Sequence, residues 1–140
     1  VRELVQEGAA VCAHDPAAMA KARAVLTSGQ ITYAHDAYDA ACGCDALLIL
    51  TPWREFSRLD LQKLHTVMKA PVVFDGRNLY APEEMAAAGF AYHSVGRATR
   101  VVKPAALATS LASFKFKVSS FKSHEEEPSS KTRRTVTTVG

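Results

Sequence analysis

Short apolar runs bounded by glycine, proline or aspartate alternate along most of this chain with stretches whose apolar positions recur every three or four residues. Ala9–His14, Ile31–Ala34, Ala46–Leu50, Val72–Asp75 and Phe90–Val95 have the first pattern and predict strands. Between them Met19, Ala22, Val25 and Leu26 share one helical face, Leu61, Leu64, Val67 and Met68 a second, and Met85 and Ala88 a third. Asp15-Pro16 and Asp36 predict helix starts, Ser57 with Asp60 approximates a capping box, and Pro82-Glu83-Glu84 sets proline and acids at another start. Gly29, Gly43 and Gly89 predict the stops, and Gly8 closes a helix, under way at Leu4 and Val5, whose beginning is expected ahead of Val1. The order β-α-β-α-β-α-β-α-β with short connections predicts an α/β fold: a doubly wound, Rossmann-like parallel sheet. Ala46–Leu50 carries no polar residue, so it is expected to be a central strand covered on both faces.

The pattern breaks after Arg97. Residues 98–140 mix apolar and basic positions without a stable period, although Leu107, Leu111 and Phe114 fit one helical face. From Ser119 the Glu125–Glu127 run and the Ser, Thr, Lys and Arg content predict a disordered or irregular tail. Two segments are therefore expected: a domain over 1–97 and a basic low-complexity tail over 98–140.

Charge supports that division. The 140 residues sum to +3, yet residues 1–97 hold 9 basic against 11 acidic side chains and residues 98–140 hold 8 against 3. The folded part is mildly acidic, so a nucleic-acid reading would rest on the tail alone, and no specific nucleic-acid partner is expected. No apolar run approaches the roughly 18–20 residues that cross a bilayer, and Arg2, Glu3 and Glu7 interrupt any leader pattern, so no membrane association and a cytoplasmic location are expected. Cys12, Cys42 and Cys44 are odd in number and lack zinc-site spacing, and neither His14 nor His35 is placed to complete a ligand set. They are expected to be reduced and structural, with no metal site.

One stretch carries candidate chemistry. Phe74-Asp75 runs into Gly76-Arg77-Asn78, a turn holding the chain's only asparagine. Ligands of open parallel sheets sit beyond the carboxyl ends of the strands, where a planar guanidinium can hold a phosphate or a polar ring through paired hydrogen bonds. The alternative is that Arg77 pairs with Asp75 or is simply solvated. Asp75 at a strand end also suggests a phosphoacceptor in a non-enzymatic regulatory module, although the acidic cluster that would hold Mg²⁺ is not visible. A third reading, a tail-driven interaction protein, rests on the basic segment.

Several pieces resemble one family in order and spacing. Gly8-Ala9-Ala10-Val11 with Asp15-Pro16, then Cys44–Trp53 with Phe56, then Phe74-Asp75-Gly76-Arg77-Asn78, and finally Gly89-Phe90 with Tyr92, Ser94 and Gly96-Arg97 resemble the C-terminal, nucleotide-sugar-binding domain of the UDP-glucose/GDP-mannose dehydrogenases. The resemblance covers 1–97 and none of 98–140. It implies a whole enzyme that oxidises the C6 hydroxyl of a nucleotide sugar, UDP-glucose being the commoner substrate, to the carboxylate of UDP-glucuronate in two NAD-linked steps. It implies Arg77 as a substrate contact, with Gly76 and Asn78 beside it. The family's catalytic cysteine, its NAD-binding glycine motif and its lysine-bearing segment are expected ahead of Val1, so no catalytic residue and no bound NAD are assigned to 1–140. The implied partners are the nucleotide sugar, the remainder of a dehydrogenase chain and, in the whole enzyme, a second subunit. Pro52 departs from the family's usual glutamate. The resemblance also implies that the first strand of this domain lies in the segment ahead of Val1. In the order 3-2-1-4-5-6 that leaves a seam between Ala9–His14 and Ala46–Leu50, expected to leave the fragment marginal or to close by direct pairing of those two strands.

Overall fold

In a computed structural model the chain is described over residues 1–26, 29, 31–97, 100–101 and 135–139. The expected alternation is present as α1 (Arg2–Gln6), β1 (Ala10–His14), α2 (Met19–Val25), β2 (Ile31–Tyr33), α3 (Ala37–Ala41), β3 (Ala46–Ile49), α4 (Leu61–Val67), β4 (Val72–Asp75), α5 (Pro82–Ala87) and β5 (Ala91–Ser94). Two further strands follow, β6 (Arg100–Val101) and β7 (Thr135–Val139).

Local chemistry accounts for most of the boundaries. The Asp36 carboxylate accepts from Asp39 N at 2.7 Å and caps α3; that bond lowers its pKa below the ordinary carboxylate value. Asp15 Oδ1 accepts from Ala17 N and Ala18 N, each at 2.7 Å, and so organises the turn that leads into α2. The expected Ser57–Asp60 capping box does not form. Ser57 Oγ donates to Arg54 O within a 3-10 turn over Phe56–Arg58, and Asp60 itself caps α4, accepting from Gln62 N and Lys63 N at 3.0 Å each. The single aspartate satisfies two of the helix's orphan donors, which leaves nothing for a box to add.

The sheet order is β2-β1-β7-β3-β4-β5-β6, parallel throughout except for the β5–β6 pair. This is the doubly wound arrangement, and its winding reverses at β7. The seam expected between β1 and β3 is therefore neither open nor closed by pairing β1 with β3. Residues 135–139 occupy it, with Ala10–His14 in register on one side and Ala46–Ile49 on the other. The physical reason lies in the sequence Thr-Val-Thr-Thr-Val: five consecutive β-branched residues without a charge suit a central strand. Averaging them with the charged, serine-rich residues before them hides that signal. The rest of the expected tail, including Leu107, Leu111 and Phe114, lies outside the described residues.

The sheet's two faces are unequal. Leu47, Ile49, Val73 and Tyr92 bury one face against Ala37, Ala40, Ala41, Leu64 and Met85 of the helical layer and Phe90 just before β5, and each is at most 5% exposed. On the other face Ala46, Val72 and Ala91 are buried while Leu48 and Phe74 remain half-buried. The cover expected on both faces of β3 is thus complete on one side and partial on the other among the described residues. No helix among them is long and apolar enough to cross a membrane.

Candidate functional site

Register fixes where the strands end. His14 pairs with Val139, Val139 with Ile49, Ile49 with Asp75 and Asp75 with Ser94, so the carboxyl ends of five parallel strands lie on one level. The loops after β1, β3, β4 and β5 all leave from this edge.

Asp75 organises the loop after β4. It is 1% exposed, and both carboxylate oxygens are engaged. Oδ1 accepts from Arg77 N at 2.8 Å; Oδ2 accepts from Leu79 N at 2.7 Å, Tyr80 N at 3.3 Å and Tyr92 Oη at 2.7 Å. A buried carboxylate is tolerated only with such a set of donors. A phosphoacceptor must be accessible, so the regulatory-module reading of Asp75 fails on its burial.

Three further ties lock the turn. Gly76 N donates to Ile49 O at 2.9 Å, and a Cβ at Gly76 would stand 3.3 Å from that oxygen, a sheet carbonyl with little room to give. Asn78 adopts a left-handed φ of 57°, which asparagine tolerates, and its Nδ2 donates to Val95 O at 3.1 Å. Arg97 Nη1 donates to Tyr80 O at 3.1 Å, joining the end of β5 to the same loop. Arg97 therefore works within the scaffold.

The guanidinium of Arg77 makes no hydrogen bond or ion pair to any described residue, and the residue is exposed. Only its backbone touches Asp75. The turn is tied to the sheet by hydrogen bonds and presents to solvent a fork of donors unpaired among the described residues, with Gly76 and Asn78 on either side. Nearby the edge holds two buried oxygens with no partner among the described residues, Thr51 Oγ1 in the loop after β3 and Asn78 Oδ1. The chain's only tryptophan, Trp53, is 41% exposed in the loop after β3. An orphaned buried hydroxyl contributes desolvation and no hydrogen bond, so Thr51→Val should leave stability unchanged or raise it by up to ~1 kcal/mol. Urea melts of the two proteins measure this, and a loss of more than 1 kcal/mol would mean that the hydroxyl has a partner in the fold.

At the other end of the edge the polar groups are already satisfied. His14 Nε2 lies 3.2 Å from Glu55 Oε1 and its Nδ1 lies 3.4 Å from Ala34 O, with the ring edge-on to Phe56. Cys12, Cys42 and Cys44 form no disulfide, and no group of three metal-ligating side chains occurs among the described residues. The edge thus presents an exposed guanidinium and an exposed aromatic ring, with two buried oxygens in the same loops.

Burial also tunes the phenols beneath the turn. Tyr80 is 4% exposed, and its hydroxyl, which donates to Phe56 O, is pushed up to about 12 by desolvation. Tyr92 is raised too, by burial first and then by its bond to Asp75. Below pH 10 the phenols are protonated in folded and unfolded chains alike, and the contribution is intact. Between pH 10 and 12 the unfolded chain releases its protons first, so stability falls with rising pH, by on the order of 2–3 kcal/mol for Tyr80 alone. Urea midpoints at pH 8, 10 and 11 should show this decline, and Tyr80→Phe should make it shallower. A midpoint flat to pH 11 would contradict the burial of both hydroxyls.

The sequence singled out Gly76, Arg77 and Asn78, and one turn holds all three. It missed the scaffold: Asp75 as a buried acceptor for four donors, Tyr92 and Arg97 as its supports, and the orphaned Thr51. Asp75, Tyr92 and Arg97 were visible as residue types, but nothing local tells a buried carboxylate from an exposed one.

Comparison with known proteins gives a consistent picture. Residues 1–82, which include the whole turn, match the profile of the UDP-glucose/GDP-mannose dehydrogenase family, UDP binding domain. The chain is 49% identical over 102 residues to the UDP-glucose 6-dehydrogenase TuaD of Bacillus subtilis (strain 168), an alignment covering 72% of this chain and 22% of that protein. It is 42% identical over 97 residues to the UDP-glucose 6-dehydrogenase of Rhizobium meliloti (strain 1021), covering 69% and 22%. With the UDP-glucose 6-dehydrogenase of Pseudomonas aeruginosa the figures are 41% over 98 residues, covering 67% and 22%. The chain spans about a fifth of the length of these curated relatives.

Proposed function

The chain belongs to the UDP-glucose/GDP-mannose dehydrogenase family, and from that premise we propose that its sheet edge binds the nucleotide part of a nucleotide sugar, UDP-glucose above all, with Arg77 as the principal contact. The observation that carries this reading is the Asp75-anchored turn, whose backbone donors serve the scaffold while the Arg77 guanidinium has no partner among the described residues. A guanidinium matches a diphosphate or a uracil carbonyl through two parallel hydrogen bonds. Gly76 lets the backbone approach closely.

The reaction belongs to the whole dehydrogenase, of which this chain matches about a fifth. In that enzyme the sugar's C6 hydroxyl is oxidised to a carboxylate in two NAD-linked steps, by groups outside residues 1–140. This chain contributes binding and orientation, without NAD of its own and without activity alone. Its partners are the nucleotide sugar, the remainder of the dehydrogenase chain and a second subunit of the assembled enzyme. A cytoplasmic location accompanies this reading.

Titration calorimetry with UDP-glucose, UDP and glucose tests it. UDP and UDP-glucose should bind within about tenfold of each other, because the contacts fall on the nucleotide, and glucose should give no heat. Equal binding of glucose, or no heat from UDP with a folded chain, would overturn it.

A further inference from the structure

Four large apolar side chains are exposed among the described residues, and three of them gather at the carboxyl edge: Leu50 and Trp53 in the loop after β3, and Val95 in the loop after β5. Single exposed apolar residues are ordinary, but a cluster beside a charged group marks a contact surface. These loops flank the Arg77 turn on both sides. Leu50 Cδ2 would lie 4.0 Å from a Cβ at Gly76, and Val95 O accepts from Asn78 Nδ2 at 3.1 Å. The guanidinium therefore leaves the protein between two apolar shoulders, one of which carries an indole.

The backbone that bears this indole is held in place. Pro52 fixes the φ of the residue just before it. Trp53 O accepts from Phe56 N at 3.0 Å, and the fully buried Phe56 accepts at its own O from Tyr80 Oη. Tyr80 N in turn donates to Asp75 Oδ2 at 3.3 Å. One run of bonds thus joins Trp53 to the carboxylate that anchors the Arg77 turn. On the other side Glu55 Oε1 lies 3.2 Å from His14 Nε2 at the end of β1.

A nucleoside diphosphate offers such a surface a charged diphosphate and a base with two flat faces and a polar edge. The guanidinium suits the diphosphate. Donors of the turn that could read the base edge are committed within the fold: Gly76 N to Ile49 O, Arg77 N, Leu79 N and Tyr80 N to Asp75, and Asn78 Nδ2 to Val95 O. The exposed indole suits the base face instead, and stacking tolerates any base because each has a π-face.

We propose that Trp53 is the base platform of this site: the base of a nucleoside diphosphate stacks on the indole while Arg77 holds the diphosphate. The segment then holds a base by its face and does not distinguish uracil from guanine. This inference rests on the nucleotide reading above and adds to it a contact residue and a selectivity.

Trp53 is the chain's only tryptophan, so intrinsic indole fluorescence reports on this one position. Titration with UDP or GDP should quench it, and the two dissociation constants should agree within about fivefold. Pyrophosphate, which has no base, should leave the fluorescence unchanged. By calorimetry Trp53→Ala should weaken both nucleotides roughly tenfold, whereas Trp53→Phe should keep most of the affinity. Equal UDP affinity for wild type and Trp53→Ala, or GDP binding more than about tenfold weaker than UDP, overturns the base platform and leaves the Arg77 contact standing. UDP binding to the wild-type chain by calorimetry without any change in fluorescence overturns it equally, and needs no variant. No heat from UDP with a folded wild-type chain removes the nucleotide reading itself, and this inference with it.

Discussion

Asp75→Ala should lower the stability of the chain by about 3–5 kcal/mol, the loss expected when one partner of a buried charged network is removed. The magnitude follows from what is left behind. Arg77 N, Leu79 N and Tyr80 N lose their acceptor, each a buried or half-buried donor whose orphaning costs about 1–3 kcal/mol. Tyr92 is less affected, because its hydroxyl can turn fully to Tyr80 O, 3.2 Å away. For a domain of this size the melting temperature should fall by more than 10 °C at roughly 4 °C per kcal/mol. Asp75→Asn should fall between the two. Its oxygen can take the place of Oδ2 and serve three donors, but its amide then faces Arg77 N, donor against donor. Thermal melts followed by circular dichroism distinguish the three proteins. A loss below 1 kcal/mol for Asp75→Ala would mean that the turn does not depend on the carboxylate.

Arg77→Ala should behave in the opposite way. The side chain is exposed and has no partner among the described residues, so stability should change by no more than about 0.5 kcal/mol. Affinity for UDP should fall roughly 10- to 100-fold, the loss of hydrogen bonds to a charged group, about 1.5–3 kcal/mol. Arg77→Lys keeps the charge without the planar fork and should recover only part of that loss. The charge component should weaken as salt is raised, because the site is open to solvent. Together the two substitutions separate scaffold from proposed contact: Asp75→Ala should act on folding and, through the turn, on binding, whereas Arg77→Ala should act on binding alone.

Much of this architecture was legible in the sequence. The five strands β1–β5 and the helices between them announce themselves because each apolar run stops at glycine, proline or aspartate. The turn at Gly76–Asn78 stood out because an arginine beside the chain's only asparagine follows a buried strand. Two things were not legible. One is the burial of Asp75, which depends on Tyr92 and on the amides of residues 77–80 converging from a different strand and loop. The other is β7. Its five β-branched residues are a strand signal, yet partnership between Thr135–Val139 and strands more than 80 residues earlier is a tertiary fact that no local window contains. The capping error at Ser57 has a smaller cause: two candidate caps three residues apart compete for one helix, and the aspartate nearer its start prevails.

The central claim is that the carboxyl edge of the sheet, led by the Asp75–Asn78 turn, holds a uridine nucleotide. Amide chemical-shift mapping of the isotopically labelled chain during titration with UDP tests it most directly. The largest shifts should fall on Gly76, Arg77 and Asn78 and on the neighbouring loops at Thr51–Trp53 and Val95–Arg97, and they should weaken in Arg77→Ala. Shifts confined to the amino ends of the strands, or a pattern unchanged by Arg77→Ala, would contradict it.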